Sequence, residues 1–290
     1  MTFPGAAGLR VERTGPQLLV EDLGRPGLAH LGVPPSGALD RSALALANRL
    51  VGNPEGAAGL EALLGGCVLV AERSLRLAVT GASVGIRVDD RAMPWGQPVP
   101  VTAGARLELG PVGWPGLRCW LAVGGGIAVA PVLGSRSTDV LTGLGPAPVG
   151  IGDRLPVGDE LGEVGSGSAV PDATRQPLVL DLAPGPRRDW LTDDALERLT
   201  APGLRVMPAS NRVALRLSGL EGLPARRTHE LPSEGVLTGA VQLPPSGQPV
   251  VFLADHPVTG GYPVVGVVSE AGLRRCAQAR PGDSVRFGLR

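Results

Sequence analysis

The sequence runs to 290 residues with 27 basic and 27 acidic side chains, and no basic or acidic block recommends nucleic acid or a charged membrane as a partner. All 27 basic residues are arginine, which excludes Schiff-base chemistry, a Walker lysine and a biotinyl-lysine within this sequence. Any anion must therefore be held by Arg or by backbone N–H groups.

The length allows a large core and fits one or two domains. The 44 glycines and 29 prolines, about a quarter of the chain, are spread between apolar runs and punctuate many short elements. Cys67, Cys119 and Cys276 form an odd, widely spaced set beside apolar residues, the pattern of buried thiols in a reducing compartment. The opening MTFPGAAGLRVERTG lacks the basic-then-apolar order of a signal peptide, and no apolar run reaches the roughly 18 residues of a membrane span. A cytoplasmic chain is expected.

In chain order, the runs 9–11 and 17–21 around Thr14-Gly15-Pro16 predict an opening β-hairpin. The Gly- and Pro-rich stretch 21–40 predicts an ordered loop. In it Arg25 either ties the loop down through carbonyls and a carboxylate or faces a ligand, and Ser36-Gly37 stand just before Asp40. Asp40 suits the N-cap of a helix over 41–51, with Ala43, Leu46, Ala47 and Leu50 on one apolar stripe. Gly52 ends that helix, Asn53-Pro54 open a second short one over 55–64, and Asn48 and Asn53 are expected to bond helix ends.

From Cys67 to Val123 short alternating runs follow one another at the spacing of a sandwich or barrel, with Asp89-Asp90 as a hairpin tip. The triplet Gly124-Gly125-Gly126 lacks the register of a phosphate loop. Ser135, Arg136 and Ser137, on a glycine-flanked loop, instead suit a carboxylate or phosphate cradle, with Arg136 facing either a ligand or a structural acid. The polar stretch 161–174 reads as a linker between a β-rich domain 1–160, with a helical insert at 40–64, and a β-barrel domain 175–290. In the second domain Thr192 caps a short helix that buries Leu196 and Leu199, and 226–231 is expected as an exposed bend. Ser269 caps a helix with Leu273, Cys276 and Ala277 inward, and 284–289 closes the chain as a strand.

The stretch 242–263, QLPPSGQPVVFLADHPVTGGYP, concentrates polar groups around an apolar strand core, 249–254. Its glycines at 260 and 261 admit a close backbone or ligand, and Tyr262 is the single tyrosine of the sequence. Asp255-His256 is the one neighbouring acid–imidazole pair, and His256 is read equally as a hydrogen-bonded surface residue or as a general acid–base. With three histidines, no GxSxG elbow, no HExxH and no paired CxxC, neither a self-contained hydrolase nor a metal site is expected. The polar set Arg25, Ser36, Arg136, Arg212, Glu234, Gln242 and Tyr262 suits orientation of a small carboxylate- or phosphate-bearing molecule better than unaided bond cleavage.

Eight motifs, DLGRPG, GVPPSGALD, ANRLVGNP, GSRSTD, SNR, SEGV, QLPPSGQPVVFLAD and TGGYP, occur in this order from Asp22 to Pro263. Together they resemble the family of the 5-oxoprolinase C subunit, also described as allophanate hydrolase subunit 2 or biotin-dependent carboxyltransferase family proteins. The resemblance implies a mainly β fold with a few short helices and cyclophilin-like barrel architecture. It implies ATP-dependent opening of 5-oxo-L-proline to L-glutamate, with the A and B subunits as partners that share the ATP, and no covalent biotin on this chain. It also leaves open a role in biotin-dependent carboxyl transfer and a non-enzymatic regulator of a partner protein. On the motif positions, candidate catalytic residues are Asp255, His256 and Tyr262. Candidate binding residues are Arg25, Ser36, Asp40, Ser135, Arg136, Ser137, Asn211, Arg212, Glu234, Gln242, Gln248, Gly260 and Gly261.

Overall fold

The computed structural model describes residues 8–159, 162, 177–220 and 231–289. The chain divides into two compact units: Met1–Arg25 with Ser36–Ala173, and Pro26–Pro35 with Thr174–Arg290. Most of the expected linker, residues 226–230 of the expected bend and the side chain of Leu196 lie outside the described residues. Among those described, no helix is long and apolar enough to cross a membrane.

The first unit is built from β1 (Leu9–Thr14), β2 (Gln17–Glu21), helix α1 (Arg41–Val51), β3 (Gly59–Leu63), β4 (Cys67–Ala71), β5 (Leu75–Gly81) and β6 (Val84–Val88). It continues with β7 (Arg91–Met93), β8 (Val99–Val101), β9 (Arg106–Val112), β10 (Arg118–Val123) and β11 (Arg154–Leu155). One sheet has the order β11-β1-β4-β9-β6-β7 and the other β2-β3-β10-β5-β8. Their inner faces share one core in which Leu9, Leu69 and Leu107 of the first sheet join Leu60, Val79 and Leu121 of the second. Period-two alternation explains why β10 is buried at every position. Cys119, Leu121 and Val123 point into the sandwich, while Ala122 lies in a second cluster with Ala47, Leu50 and Val51 of α1.

Helix α1 forms where the sequence predicts it. The Asp40 carboxylate accepts from the Ala43 amide at 2.9 Å, and Gly52 closes the helix in the left-handed region. Two expectations fail. The opening hairpin does not form, because β1 pairs with β4 and β11 while β2 pairs with β3 in the other sheet. The segment 55–64 is not a helix: its last residues are strand β3, hydrogen-bonded on both sides by β2 and β10. Central placement in a sheet overrides the helix propensity of Leu, Glu and Ala. Asn48 bonds the chain that follows the helix, donating to the Ala57 carbonyl at 2.7 Å, whereas Asn53 donates to the Val123 carbonyl at the end of β10, also at 2.7 Å. The Asp89-Asp90 hairpin tip is present, with positive φ at both residues.

The second unit contains β12 (Leu178–Pro184), α2 (Asp193–Thr200), β13 (Leu204–Val206), β14 (Ala214–Ser218), β15 (Glu234–Gly235), β16 (Ala240–Gln242) and β17 (Val250–Phe252). After these come β18 (Thr259–Gly260), β19 (Val264–Val268), α3 (Glu270–Gln278) and β20 (Ser284–Leu289). Seven strands close into a barrel in the order β12-β19-β16-β17-β14-β13-β20. The seam is the parallel pair β12–β20, running from Leu178 opposite Val285 to Leu182 opposite Leu289. Closure removes the free edges of the sheet. Thr192 and Ser269 cap α2 and α3 through their hydroxyls, as their positions predict. The mainly β class with a barrel is the architecture expected.

Candidate functional site

In the first unit the chain leaves β2 through Asp22, which is buried and acts as a hub. Its Oδ1 accepts from the hydroxyls of Ser135 and Ser137, both at 2.6 Å, and from the Gly24 amide at 2.7 Å. Its Oδ2 accepts from the Arg136 amide at 2.6 Å. The loop 135–137 is thus a carboxylate cradle holding a carboxylate of its own chain. The Arg136 side chain turns to the Val129 carbonyl, with Nε 2.8 Å away. Asp40 is engaged by Ala43 and by Ser42, whose hydroxyl donates at 2.6 Å.

Arg25 is buried at 2% exposure, and its Nη2 donates to the Ser137 carbonyl at 2.6 Å. Ser36 is buried as well, with φ of 51°. The segments 22–25 and 36–38 run in backbone contact: the Ala38 amide donates to the Asp22 carbonyl at 2.9 Å. A Cβ on Gly37 would sit 2.8 Å from the Gly24 nitrogen, so only glycine fits there. Glu61 on β3 fixes the same loop, accepting from the Leu39 amide at 3.1 Å and from the Trp120 indole at 3.2 Å, and ion-pairing with Arg118 at 3.3 Å. The first unit therefore gathers Arg25, Ser36, Ser135, Arg136 and Ser137 around one loop crossing.

In the second unit two groups form. Arg212 and Asp255 make a bidentate pair, Nε to Oδ2 at 2.9 Å and Nη2 to Oδ1 at 3.1 Å, with both side chains essentially inaccessible. Asn211 beside it accepts from the Val213 amide at 2.8 Å and shapes the turn into β14. Asp255 and His256 lie beyond the end of β17. The His256 ring is buried, 2.7 Å from the Pro257 carbonyl through Nδ1, and its centroid is 5.8 Å from that of Phe252.

The other group collects Glu234, Gln242, Gly260, Gly261 and Tyr262. Glu234 pairs with Gly260 in the two-stranded sheet β15–β18, and its carboxylate is held on both oxygens by the Arg187 guanidinium. Gln242 donates through Nε2 to the Tyr262 carbonyl at 3.0 Å and packs against Gly260, where any Cβ would lie 2.5 Å from its nitrogen. The Tyr262 side chain is 47% exposed. Gln248 stands apart in the turn at 244–248, its amide 3.4 Å from the Ser246 hydroxyl.

Sequence reasoning missed Asp22, Glu61 and Arg187 as organisers. Asp22 opens the DLGRPG motif, which was the available signal; Glu61 and Arg187 carried none. Burial pushes the Cys67 and Cys276 thiols up to about 12 and raises Cys119 as well, so all three stay protonated and unreactive at neutral pH. Among the described residues no cluster of three or more His, Cys, Asp or Glu side chains could hold a metal ion.

With this geometry in place, relatives are informative. The carboxyltransferase domain model, subdomain A and B, matches residues 31–289. The chain is 36% identical to the 5-oxoprolinase C subunit of Escherichia coli strain K12, over 96% of this chain and 90% of that protein. It is 31% identical to urea amidolyase of Lachancea kluyveri over 96% of this chain and 16% of that protein. Among solved structures, TTHA0988 superposes with a TM-score of 0.88 at 37% identity, covering 98% of this chain and 56% of that one. The Kluyveromyces lactis urea amidolyase superposes with a TM-score of 0.86 at 28% identity, covering 98% of this chain and 19% of that one. The chain thus spans most of the E. coli relative but little more than half of TTHA0988. The named relatives from E. coli and the yeasts are enzymes or enzyme subunits, and this chain belongs to the carboxyltransferase domain family, subdomain A and B.

Proposed function

We propose that this chain is the C subunit of an ATP-dependent 5-oxoprolinase, a lactam hydrolase component that helps open 5-oxo-L-proline to L-glutamate together with partner A and B subunits. The observation that carries this reading is the 36% identity with the E. coli 5-oxoprolinase C subunit along nearly the whole of both chains. The site geometry supports a polypeptide whose active site is finished by another. Asp255 is held by Arg212 and Glu234 by Arg187, so neither carboxylate is poised as a self-sufficient base. In this reading Tyr262, exposed beside Gly261, and buried His256 serve the reaction from the barrel unit. The partners hold the ATP phosphates, because the hydroxyl and amide cradle of the loop 135–137 already surrounds Asp22. Assembly takes place in the cytoplasm, where three thiols without disulfide partners stay reduced.

The test is reconstitution. The chain mixed with its A and B subunits is expected to release ADP and glutamate from ATP and 5-oxoproline, and each component alone is expected to be silent. A complete mixture that leaves both substrates unchanged rejects the proposal. The superposition on urea amidolyase favours a second reading, carboxyl transfer from carboxybiotin to a urea-like amide. The biotin would ride on a separate carrier, since the sequence has no lysine to bear it. Carboxyl transfer from a carboxylated carrier, in the absence of ATP-driven lactam opening, would favour that reading over the first.

A further inference from the structure

We infer that Arg25 and Ser36 form a built subsite for the carboxylate of a small organic acid. The subsite is argued from the first unit alone; only the choice of 5-oxoproline as the acid to test rests on the function proposed above.

Three arginines are buried among the described residues: Arg25, Arg118 and Arg212. Arg118 is ion-paired with Glu61 and Arg212 with Asp255. Arg25 makes one hydrogen bond, to a neutral carbonyl, while its Nε and Nη1 have no partner. A guanidinium removed from water without an anion is an uncompensated charge, a state that folded chains avoid unless something else neutralises it. Asp22 does not do so, because it is directed onto Ser135, Ser137, Gly24 and the Arg136 amide, and buried Glu21 on β2 makes no ion pair with Arg25, whose one bond is to the Ser137 carbonyl.

Ser36 provides the second, independent feature. Its hydroxyl is buried without a partner, and its φ of 51° lies in the left-handed region that disfavours a side chain. The frame around both residues is rigid. Leu39 is held by Glu61, Arg41 donates to the Leu23 carbonyl at 2.8 Å, and Gly145 packs so closely that a Cβ there would lie 3.1 Å from Arg25 Nη2. Arg25 therefore cannot swing away to find water, and the guanidinium N–H groups and the hydroxyl are preorganised donors. One positive charge with a planar fork of donors matches a monocarboxylate better than a dianionic phosphate.

The test uses the intact chain labelled with nitrogen-15, reading the arginine Nε–Hε resonances, with Arg25 assigned through Arg25→Lys. Titration with 5-oxo-L-proline, with acetate, with inorganic phosphate and with 2-pyrrolidone (the same lactam without the carboxylate) separates the ligand classes. A saturable shift of the Arg25 signal is expected with the carboxylates and none with 2-pyrrolidone. Arg25→Lys, which keeps the charge but loses the fork, should weaken 5-oxoproline binding about tenfold, and Ser36→Gly, which suits the positive φ, about threefold. Should Arg25→Lys fail to fold, calorimetric titration of the wild type and of Ser36→Gly with the same four compounds, which needs no assignment, still decides. No saturable shift with any carboxylate, an equal response to 2-pyrrolidone, or tighter binding of phosphate would overturn the subsite. A shift with acetate but not with 5-oxoproline would keep the subsite and remove that substrate. Binding of 5-oxoproline without turnover in the reconstituted complex would keep the subsite and count against the proposed activity.

Discussion

Asp22 in the first unit and Asp255 in the second are buried alike, at 7% and 0% exposure, yet their partners differ in kind. Asp255 meets a guanidinium edge-on, so charge cancels charge within the barrel. Asp22 meets only hydroxyls and amides, from its own loop and from a loop more than a hundred residues away, and the arginine three positions on stays unpaired with it. In the second unit the polar groups are closed on themselves and lock two loops of a barrel. In the first, the carboxylate is neutralised by dipoles, and a positive charge is left over for something else. The same residue types therefore mark a structural lock in one place and an available donor in the other.

The largest expected effect tests the lock. Asp255→Ala leaves Arg212 buried without its anion and should cost about 3–5 kcal/mol of stability in denaturant unfolding. The double change Arg212→Met with Asp255→Leu should recover most of that loss, because an apolar pair of similar volume replaces a desolvated one. If Asp255→Ala unfolds like the wild type, the pair does not hold the barrel loops.

Asp22→Asn is the matching change in the first unit. It preserves volume but turns one acceptor edge into a donor facing hydroxyls and an amide, and should cost about 1.5–3 kcal/mol, less than Asp255→Ala. The two losses should add when combined, since the sites share no partner. A larger loss at Asp22 than at Asp255 would invert the comparison and make the dipole cradle the stronger lock.

How much of this could be read beforehand depends on whether the signal was local. Helix α1 was legible because its cap, its apolar stripe and its terminal glycine lie within a short stretch, and Asp40→Ala should cost about 1 kcal/mol through loss of the Ala43 contact. Thermal unfolding with unchanged far-ultraviolet dichroism away from the transition would check that. Strand β3 was illegible because Gly59–Leu63 reads as a helix until β2 and β10 flank it. The opening hairpin failed for the same reason, as nothing local says that β1 and β2 belong to different sheets. At the site, residue types at 135–137 announced a carboxylate or phosphate cradle; the loop holds a carboxylate of its own chain, Asp22, and the Arg136 guanidinium takes no part, turning to the Val129 carbonyl. The identity of the anion, a side chain 113 positions earlier in the case of Ser135, is a fact of topology alone.

The smallest effect comes from arginine–carboxylate contacts placed in water. Glu12 is held below the usual carboxylate range by hydrogen bonds from Arg10 and then Arg106, and Glu108 by a hydrogen bond from Arg13, then Arg106, on the exposed face of the first sheet. Because folding lowers both values, their stabilisation is complete above the ordinary glutamate value of about 4.3 and is lost as pH falls through the lowered ones. The variant Glu12→Gln with Glu108→Gln should therefore differ from the wild type in melting temperature at neutral pH and low salt, and the two should converge as the solution is acidified. High salt should shrink the difference as well, since exposed charges are screened over about 10 Å at 0.1 M ionic strength. The Asp255→Ala loss should persist under the same salt, because burial shields that pair from mobile ions. If salt erased both differences equally, the distinction between a buried lock and a solvated ladder would not hold.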